Sequence, residues 1–215
     1  KLNMLKIKKF VFNPFSENTF ILSNELNNCI IIDPGCYHSH EEKELEEYIT
    51  LNKLKIVSIL QTHSHLDHMF GTSYIANKYN VPVFIHKDDE TTFNSFEKVC
   101  SMYGVPIQYN DPINFNYFDL GKGFYLGNHF LEIRFVPGHA PGHVVFYNAE
   151  NNFVINGDCL FQSSIGRTDL PGGNHEQLIK SIKNELFTLP ENTKVYCGHG
   201  PETSIGEEMK NNPFF

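Results

Sequence analysis

No run in the 215-residue chain approaches the ~18 consecutive apolar residues of a membrane-crossing helix. The N-terminus, Lys1-Leu2-Asn3-Met4-Leu5-Lys6-Ile7, has no apolar stretch of signal-peptide length and no small-residue cleavage site. These absences predict a protein with no membrane partner, and Met4 reads as the natural start with residues 1–3 foreign to it. Cysteine is sparse: Cys29, Cys36, Cys100, Cys159 and Cys197 are odd in number and lack CxxC spacing. That excludes a zinc knuckle or a dithiol redox pair and suits a reducing, cytoplasmic setting. Positive charge is short as well, with 17 basic against 25 acidic residues and a net charge of −8. A nucleic-acid partner normally needs a basic patch. The densest basic cluster, Lys6, Lys8 and Lys9, reads instead as the solvated edge of a strand. There is no G-x-S-x-G elbow to supply a serine nucleophile, no internal repeat and no low-complexity tract.

With 40% apolar and 20% charged residues, the composition is that of an ordinary globular protein. Its length suits one good-sized core, so residues 1–215 are expected to form a single domain, as a monomer or homodimer. Residues 4–12 alternate like a half-buried strand, residues 13–18 read as a turn, and Thr19 to Leu22 and Cys29 to Ile32 follow as strands. Short connections make these three an antiparallel meander, with the fully apolar third strand central. Residues 39–53 have helical spacing, with Ser39 as the N-cap and the run of glutamates as a solvated face. Strand 55–60 comes next, then a helix over 67–79, a strand over 81–85 and an amphipathic helix over 88–102. Residues 103–123, broken by glycine and proline, are expected to be a surface loop walling a substrate cleft. Residues 130–136 alternate as a strand, 144–147 and 153–155 pair as a hairpin, 175–188 form a helix, and 194–197 form the last strand.

Thr62-His63-Ser64-His65-Leu66-Asp67-His68 stands at the centre of this pattern, directly after an apolar strand. Imidazole nitrogens and carboxylate oxygens are ligands for a borderline divalent cation. In an extended segment His63 and His65 leave the same face and can grip one ion, while Asp67 and His68, where the chain turns, can address a second. Taken alone, the stretch could also be a polar loop rich in histidine. But His139, Asp158 and His199 also follow apolar runs and also neighbour glycines, which allow sharp turns into a site. Together these seven residues would fill two coordination spheres.

The sequence Thr62 through His68, with His139, Asp158 and His199 downstream, resembles the T-H-x-H-x-D-H pattern of the metallo-β-lactamase-fold hydrolases. The resemblance spans essentially the whole chain. Within that superfamily it is nearest to the glyoxalase II (hydroxyacylglutathione hydrolase) branch. It shares with that branch Asn18, the loop Pro137 to His143, Gly157-Asp158-Cys159-Leu160-Phe161, Ile165-Gly166-Arg167-Thr168-Asp169, Gly198 to Thr203, and Asn212-Pro213-Phe214. The resemblance implies an α+β fold, a four-layer αβ/βα sandwich with the metal site at the edge between two sheets. It also implies that His63, His65 and His139 hold one ion, that Asp67, His68 and His199 hold a second, and that Asp158 bridges them. Two divalent ions, zinc foremost and iron or manganese as alternatives, would share a bridging hydroxide that attacks a thioester such as S-D-lactoylglutathione, with Asp67 and Asp158 as the catalytic carboxylates. Only about fifteen residues follow His199, so the C-terminal helical domain that contributes to the glutathione site of full-length glyoxalase II is not expected.

Three further residues have two readings each. His143 either supports the ligand residues or packs its loop; Asp33 either orients a ligand histidine or serves a turn. Arg167 forms a buried pair with Asp169 or reaches an anionic group of the substrate. Cys159 and Cys197 read as core residues next to the site, and His38, His40, His86, His129 and His175 as surface or capping residues. The rival functions are a mononuclear-iron persulfide dioxygenase, a lactone or other ester hydrolase, a β-lactamase, a nuclease and a regulatory domain that has lost its chemistry. The Gly-His-Gly-Pro string at 198–201 favours a hydrolase over a dioxygenase. Asp158 stands where many β-lactamases place cysteine or serine, net acidity opposes a nuclease, and seven intact candidate ligands oppose a decayed site.

Overall fold

The computed structural model describes residues 4–215, so the reading of residues 1–3 lies outside the described residues. The chain opens with β1 (Lys6–Phe12), β2 (Glu17–Ser23) and β3 (Asn28–Ile32), then α1 (Ser39–Leu51) and β4 (Lys55–Leu60). Next come α2 (Leu66–Met69), α3 (Thr72–Tyr79), β5 (Val83–Ile85), α4 (Glu90–Asn94), α5 (Phe96–Tyr103) and β6 (Phe115–Tyr117). The second half comprises β7 (Phe124–Leu126), β8 (His129–Phe135), β9 (Val144–Asn148), β10 (Phe153–Gly157), β11 (Leu160–Phe161), β12 (Ser164–Ile165), α6 (His175–Ser181), β13 (Lys194–Cys197), β14 (Thr203–Ser204) and α7 (Ile205–Asn211).

Two six-stranded sheets form, in the orders β1-β2-β3-β4-β5-β6 and β14-β13-β10-β9-β8-β7. The meander β1-β2-β3 is antiparallel, whereas β3, β4, β5 and β6 run parallel. In the second sheet β9 and β10 pair antiparallel and β13 lies parallel to β10. Strands β2, β9 and β10 are buried at every position because both faces of their sheets are covered, including the polar start of β2 at Glu17, Asn18 and Thr19. Three apolar clusters define four layers. One lies between the first sheet and its helices, around Ile31, Leu45, Ile75 and Phe96. A second fills the space between the sheets, around Phe20, Ile30, Leu131 and Phe146. The third lies under α6 and α7, around Val154, Leu178, Ile182 and Ile205. The fold is α+β, of the αβ/βα type expected.

Several elements depart from the sequence reading for identifiable reasons. The helix expected over 67–79 is broken between α2 and α3 at Gly71, whose N–H donates to Pro34 O at 2.8 Å. A side chain there would meet Cys36 Sγ at 2.3 Å, so the break is a close approach of backbones. The helix over 88–102 is interrupted at Ser95, whose hydroxyl donates to Thr92 O at 2.8 Å and competes with the helical ladder. His38, not Ser39, is the N-cap of α1. Its glutamates are only partly a solvated face. Glu41 is buried and accepts the N–H groups of Asn13, Tyr37 and His38 at 2.7, 2.7 and 2.9 Å, tying the β1–β2 turn to the helix. Glu42 is also buried and accepts the Tyr109 hydroxyl at 3.2 Å. The loop after α5 does not wall the cleft. Tyr109 stacks on Tyr74, the Ser73 hydroxyl donates to Asp111 O, and β6 extends the first sheet. His129 is not a surface residue; it is buried between Glu25 (3.0 Å) and Glu150 (3.2 Å). His86 is buried too, stacked on Phe135, and its Nδ1 accepts from Asp88 N as a cap.

Candidate metal centre

The C-terminal ends of β3, β4, β10 and β13 converge at one edge of the sandwich, and the loop after β8 joins them. A parallel arrangement puts such ends side by side, so residues far apart in sequence become neighbours. Asp33 follows β3, His63 to His68 follow β4, His139 follows β8, Asp158 follows β10 and His199 follows β13. A bulge in β10 shifts its register on β13 between Ile155 and Gly157, and Gly157 takes a φ of 53° there. A Cβ on Gly157 would sit 2.5 Å from Thr62 Oγ1 and 2.7 Å from His143 Nε2, so glycine is needed both for the turn and for the space.

His63, His65 and His139 form one group and Asp67, His68 and His199 another; in each, one candidate ligand atom per residue lies within 4.8 Å of the others. Asp158 stands between them. Its Oδ2 is 3.7 Å from His139 Nε2 and 3.4 Å from His199 Nε2, and its Oδ1 is 3.5 Å from His68 Nε2. Asp67 Oδ2 lies 3.1 Å from His199 Nε2 and 3.8 Å from His68 Nε2. All seven residues singled out in the sequence are therefore brought to one place.

The hydrogen bonds behind these rings indicate which nitrogens face inward. Asp33 accepts Thr62 N at 2.7 Å, the Thr62 hydroxyl at 2.5 Å and His68 Nδ1 at 3.0 Å. With its proton on Asp33, the Thr62 hydroxyl can only accept from His63 Nδ1, 3.0 Å away. His139 Nδ1 donates to Arg167 O at 2.7 Å, and His199 Nδ1 to Phe15 O at 3.1 Å. For His63 and His139 the outward N–H leaves Nε2 as a lone pair facing the site. At His68 and His199 burial is outweighed by Asp158 and Asp67, which raise both imidazoles and favour a second proton that a metal would displace. The Nε2 atoms of His63 and His139 thus face each other at 3.2 Å with no proton between them, an arrangement that a cation relieves. His68 Nε2 and Asp158 Oδ1 are buried and lack a hydrogen-bond partner. Buried polar atoms are rarely left so, and the donor set fits a divalent metal. Asp33 also lies within reach of His63 and His68, but Thr62 and His68 already engage both its oxygens, so it holds the His68 ring in place.

Electrostatics divides the site in two. Burial pushes the imidazoles of His63 and His139 below their ordinary range and lowers His65 to about 3, so these rings are neutral at pH 7. Burial alone would raise the Asp158 carboxyl, but His68, His199 and His139 outweigh it and hold it well below the carboxylate range. Burial likewise opposes charge on Asp67, and His68 and His199 reverse that. Neutral imidazoles and ionised carboxylates are the forms that bind metal.

The supporting residues divide into those the sequence flagged and those it missed. His143 is fully buried, accepts Asp158 N–H at Nε2 (3.0 Å), and places Nδ1 3.0 Å from Cys159 Sγ. It thus fixes the backbone that carries Asp158. Arg167 pairs with Asp169 through two hydrogen bonds of 2.7 and 2.8 Å, but the side chains are 59% and 69% exposed, so the pair is a surface one. What the site uses from Arg167 is its carbonyl. Glu17, expected in a turn, is the first residue of β2. It is wholly buried 3.9 Å from His68 Nδ1 and is held protonated-leaning by burial. Nothing in the sequence distinguishes it from a surface turn acid. Asp89 is a second missed acid, buried beside Ser64, Gly142 and Thr92 between the loops that carry His65 and His139, with no hydrogen-bond partner among the described residues on either carboxylate oxygen.

A cavity of about 970 Å³ opens above the centre and is lined at its floor by His65, Asp67, His139, Asp158 and His199.

Comparison with known proteins gives consistent relatives. The family model described as the Metallo-beta-lactamase superfamily matches residues 12–199. The "Probable metallo-hydrolase YqgX" of Bacillus subtilis is 36% identical over 213 residues, 98% of this chain and 97% of that protein. The "Hydroxyacylglutathione hydrolase GloC" of Haemophilus influenzae is 33% identical over 202 residues, 93% of each. Among solved structures, the BLEG-1 B3 metallo-beta-lactamase superposes with a TM-score of 0.84 at 33% identity, covering 97% of this chain and 99% of that one. TTHA1623 in a di-iron-bound form superposes with a TM-score of 0.85 at 31% identity, covering 97% and 100%.

Proposed function

We propose that this chain, which belongs to the metallo-beta-lactamase superfamily, is a metal-dependent hydrolase with a binuclear centre that cleaves a small-molecule thioester such as S-D-lactoylglutathione. The observation that carries the reading is the placement of Asp158, buried and with an orphaned oxygen, between two three-residue clusters. His63, His65 and His139 would hold one divalent ion and Asp67, His68 and His199 the other, with Asp158 between them. Such a pair supplies hydroxide at neutral pH and a Lewis acid for the carbonyl oxygen.

The protein's own residues do the rest. Asp33 and Thr62 fix the His68 and His63 rings, and the carbonyls of Arg167 and Phe15 fix His139 and His199. Asp67, with 14% of its side chain exposed, faces the cavity and can take a proton from water there. No cysteine is available as an alternative nucleophile. All five are free and buried, and burial pushes the Cys159 thiol, next to Asp158, far up. The free thiols also support a reducing, cytoplasmic setting. The relative named GloC supports the thioester substrate. The imidazole and carboxylate set accepts zinc, iron or manganese. We place zinc first, and the di-iron form of TTHA1623 makes iron the alternative to measure.

The test combines metal analysis with a thioester assay. Two ions per chain and chelator-sensitive hydrolysis are expected, with both lost in Asp158→Ala. A single iron with oxygen uptake would replace hydrolysis by dioxygenase chemistry, and an Asp158→Ala variant of unchanged rate would refute the centre.

A further inference from the structure

The cavity above the centre is larger and less polar than a lactoyl group needs. At about 970 Å³ it lies at the top of the range for sites that enclose drug-sized ligands. The α5 face carrying Val99, Met102 and Tyr103 lines it, together with Pro141, Leu170 and Pro171 from the second half of the chain. Met102 and Tyr103 remain 75% and 52% exposed on that face, an apolar surface the fold itself does not cover. The charges are few. Lys98 and Arg167 are the cationic side chains lining the cavity, and Asp67 and Asp158 at the floor are its carboxylates. Arg167 is already bound at two points by Asp169. Lys98 has no ion pair among the described residues, and four residues along α5 it shares a helix face with Met102.

Building on the thioester reading above, we infer that the substrate carries an apolar segment of medium length ending in one anionic group, with the segment against α5 and the anion at Lys98. A glutathionyl group brings two carboxylates and an ammonium. At this rim one unpaired cation would meet one of them, and no rim carboxylate lines the cavity to receive the ammonium. An apolar chain with a single terminal carboxylate leaves no charge unmatched, and each methylene it buries favours binding about fourfold. Lys98 is thus assigned as a specificity residue and the α5 wall as the acyl or thiol channel.

The experiment uses metal-loaded enzyme and two series of thioesters. On the acyl side, the acetyl, hexanoyl and adipoyl thioesters of N-acetylcysteamine are compared. On the thiol side, the acetyl thioesters of N-acetylcysteamine, hexanethiol and 6-mercaptohexanoate are compared, with S-D-lactoylglutathione alongside. The arm that responds identifies which side of the thioester enters the channel. In that arm, kcat/KM should rise at least tenfold with the added apolar chain and several-fold more with the terminal carboxylate. The carboxylate preference should vanish in Lys98→Gln and invert in Lys98→Glu, and Val99→Asp should flatten the dependence on chain length. Chelator-sensitive hydrolysis with kcat/KM flat within twofold in both arms, or a carboxylate preference indifferent to Lys98, would overturn the inference and leave the hydrolase standing. Failure to hydrolyse any of these thioesters would instead overturn the thioesterase reading and the inference with it.

Discussion

Gly198→Ala tests the centre without removing any of its functional groups. Gly198 precedes His199, and its φ is not positive, so alanine brings no backbone strain. Its Cβ would lie 2.1 Å from Asp158 Oδ1 and 3.0 Å from both Gly157 C and His68 Cε1. Carbon and oxygen not bonded to one another settle at about 3.3 Å or more, so the carboxylate must retreat by roughly 1.2 Å. It cannot do so freely, because the Asp158 N–H is held by His143 and the neighbouring Gly198 N–H by Gly157 O at 2.7 Å. A displacement of about 1 Å at a reacting centre can lower a rate ~100-fold. Disturbing a buried carboxylate among its partners costs up to about 3–5 kcal/mol, two to nearly four decades in affinity for the shared ion pair. The assay is metal stoichiometry against a competing chelator, together with thioester turnover at saturating metal. We expect the variant to fold with a thermal midpoint lowered by up to about 6–20 °C, to hold fewer than two ions per chain, and to turn over at about 1% of the parental rate. Wild-type stoichiometry and rate in Gly198→Ala would show that Asp158 does not sit between two ions.

Two further substitutions probe the support beneath the centre. His143→Ala removes a fully buried ring and leaves the Asp158 N–H without its acceptor. Denaturant unfolding of the metal-free protein should show a loss of about 2–4 kcal/mol, and metal content should fall in parallel; an unchanged midpoint would contradict the strut role. Asp89→Asn tests the buried acid by pH. Burial raises the folded Asp89 carboxyl above its ordinary 3.8, so between that value and the raised one the folded state holds a proton that the unfolded chain releases. Wild-type stability relative to Asp89→Asn should therefore be greatest below about pH 4, decline as pH rises through the folded value and then level off. A difference that grows with pH would show that the carboxylate is ionised and well served by its neighbours.

Much of this molecule was legible before any coordinates. Apolar runs such as Cys29 to Ile32 marked buried strands, and the change to helical spacing at Ser39 to Leu51 marked the first layer. The Thr62 to His68 string offered metal-binding chemistry, and His139, Asp158 and His199 at later strand ends turned it into a reading of two coordination spheres. Helix breaks at Gly71 and Ser95 were not legible, since one depends on a neighbouring backbone and the other on a local hydroxyl bond. Nor could the sequence tell that Glu17, Glu41, Glu42 and Asp89 are buried while Asp169 is exposed. An acid looks the same in sequence whether its partner is water or three backbone amides.

By itself, then, the sequence determined the candidate ligand types, their order and the strand ends on which they sit, because hydrophobic periodicity and residue chemistry are local properties. Only the tertiary structure decided that Asp158 lies between the two clusters, that Arg167 contributes its carbonyl, and that the cleft is walled by α5 instead of the loop after it. Those facts depend on the parallel pairing of β3 with β4 and of β10 with β13 together with the packing of the two sheets, which brings Asp67 and His199, more than a hundred positions apart, to 3.1 Å of each other. No local pattern encodes such a distance.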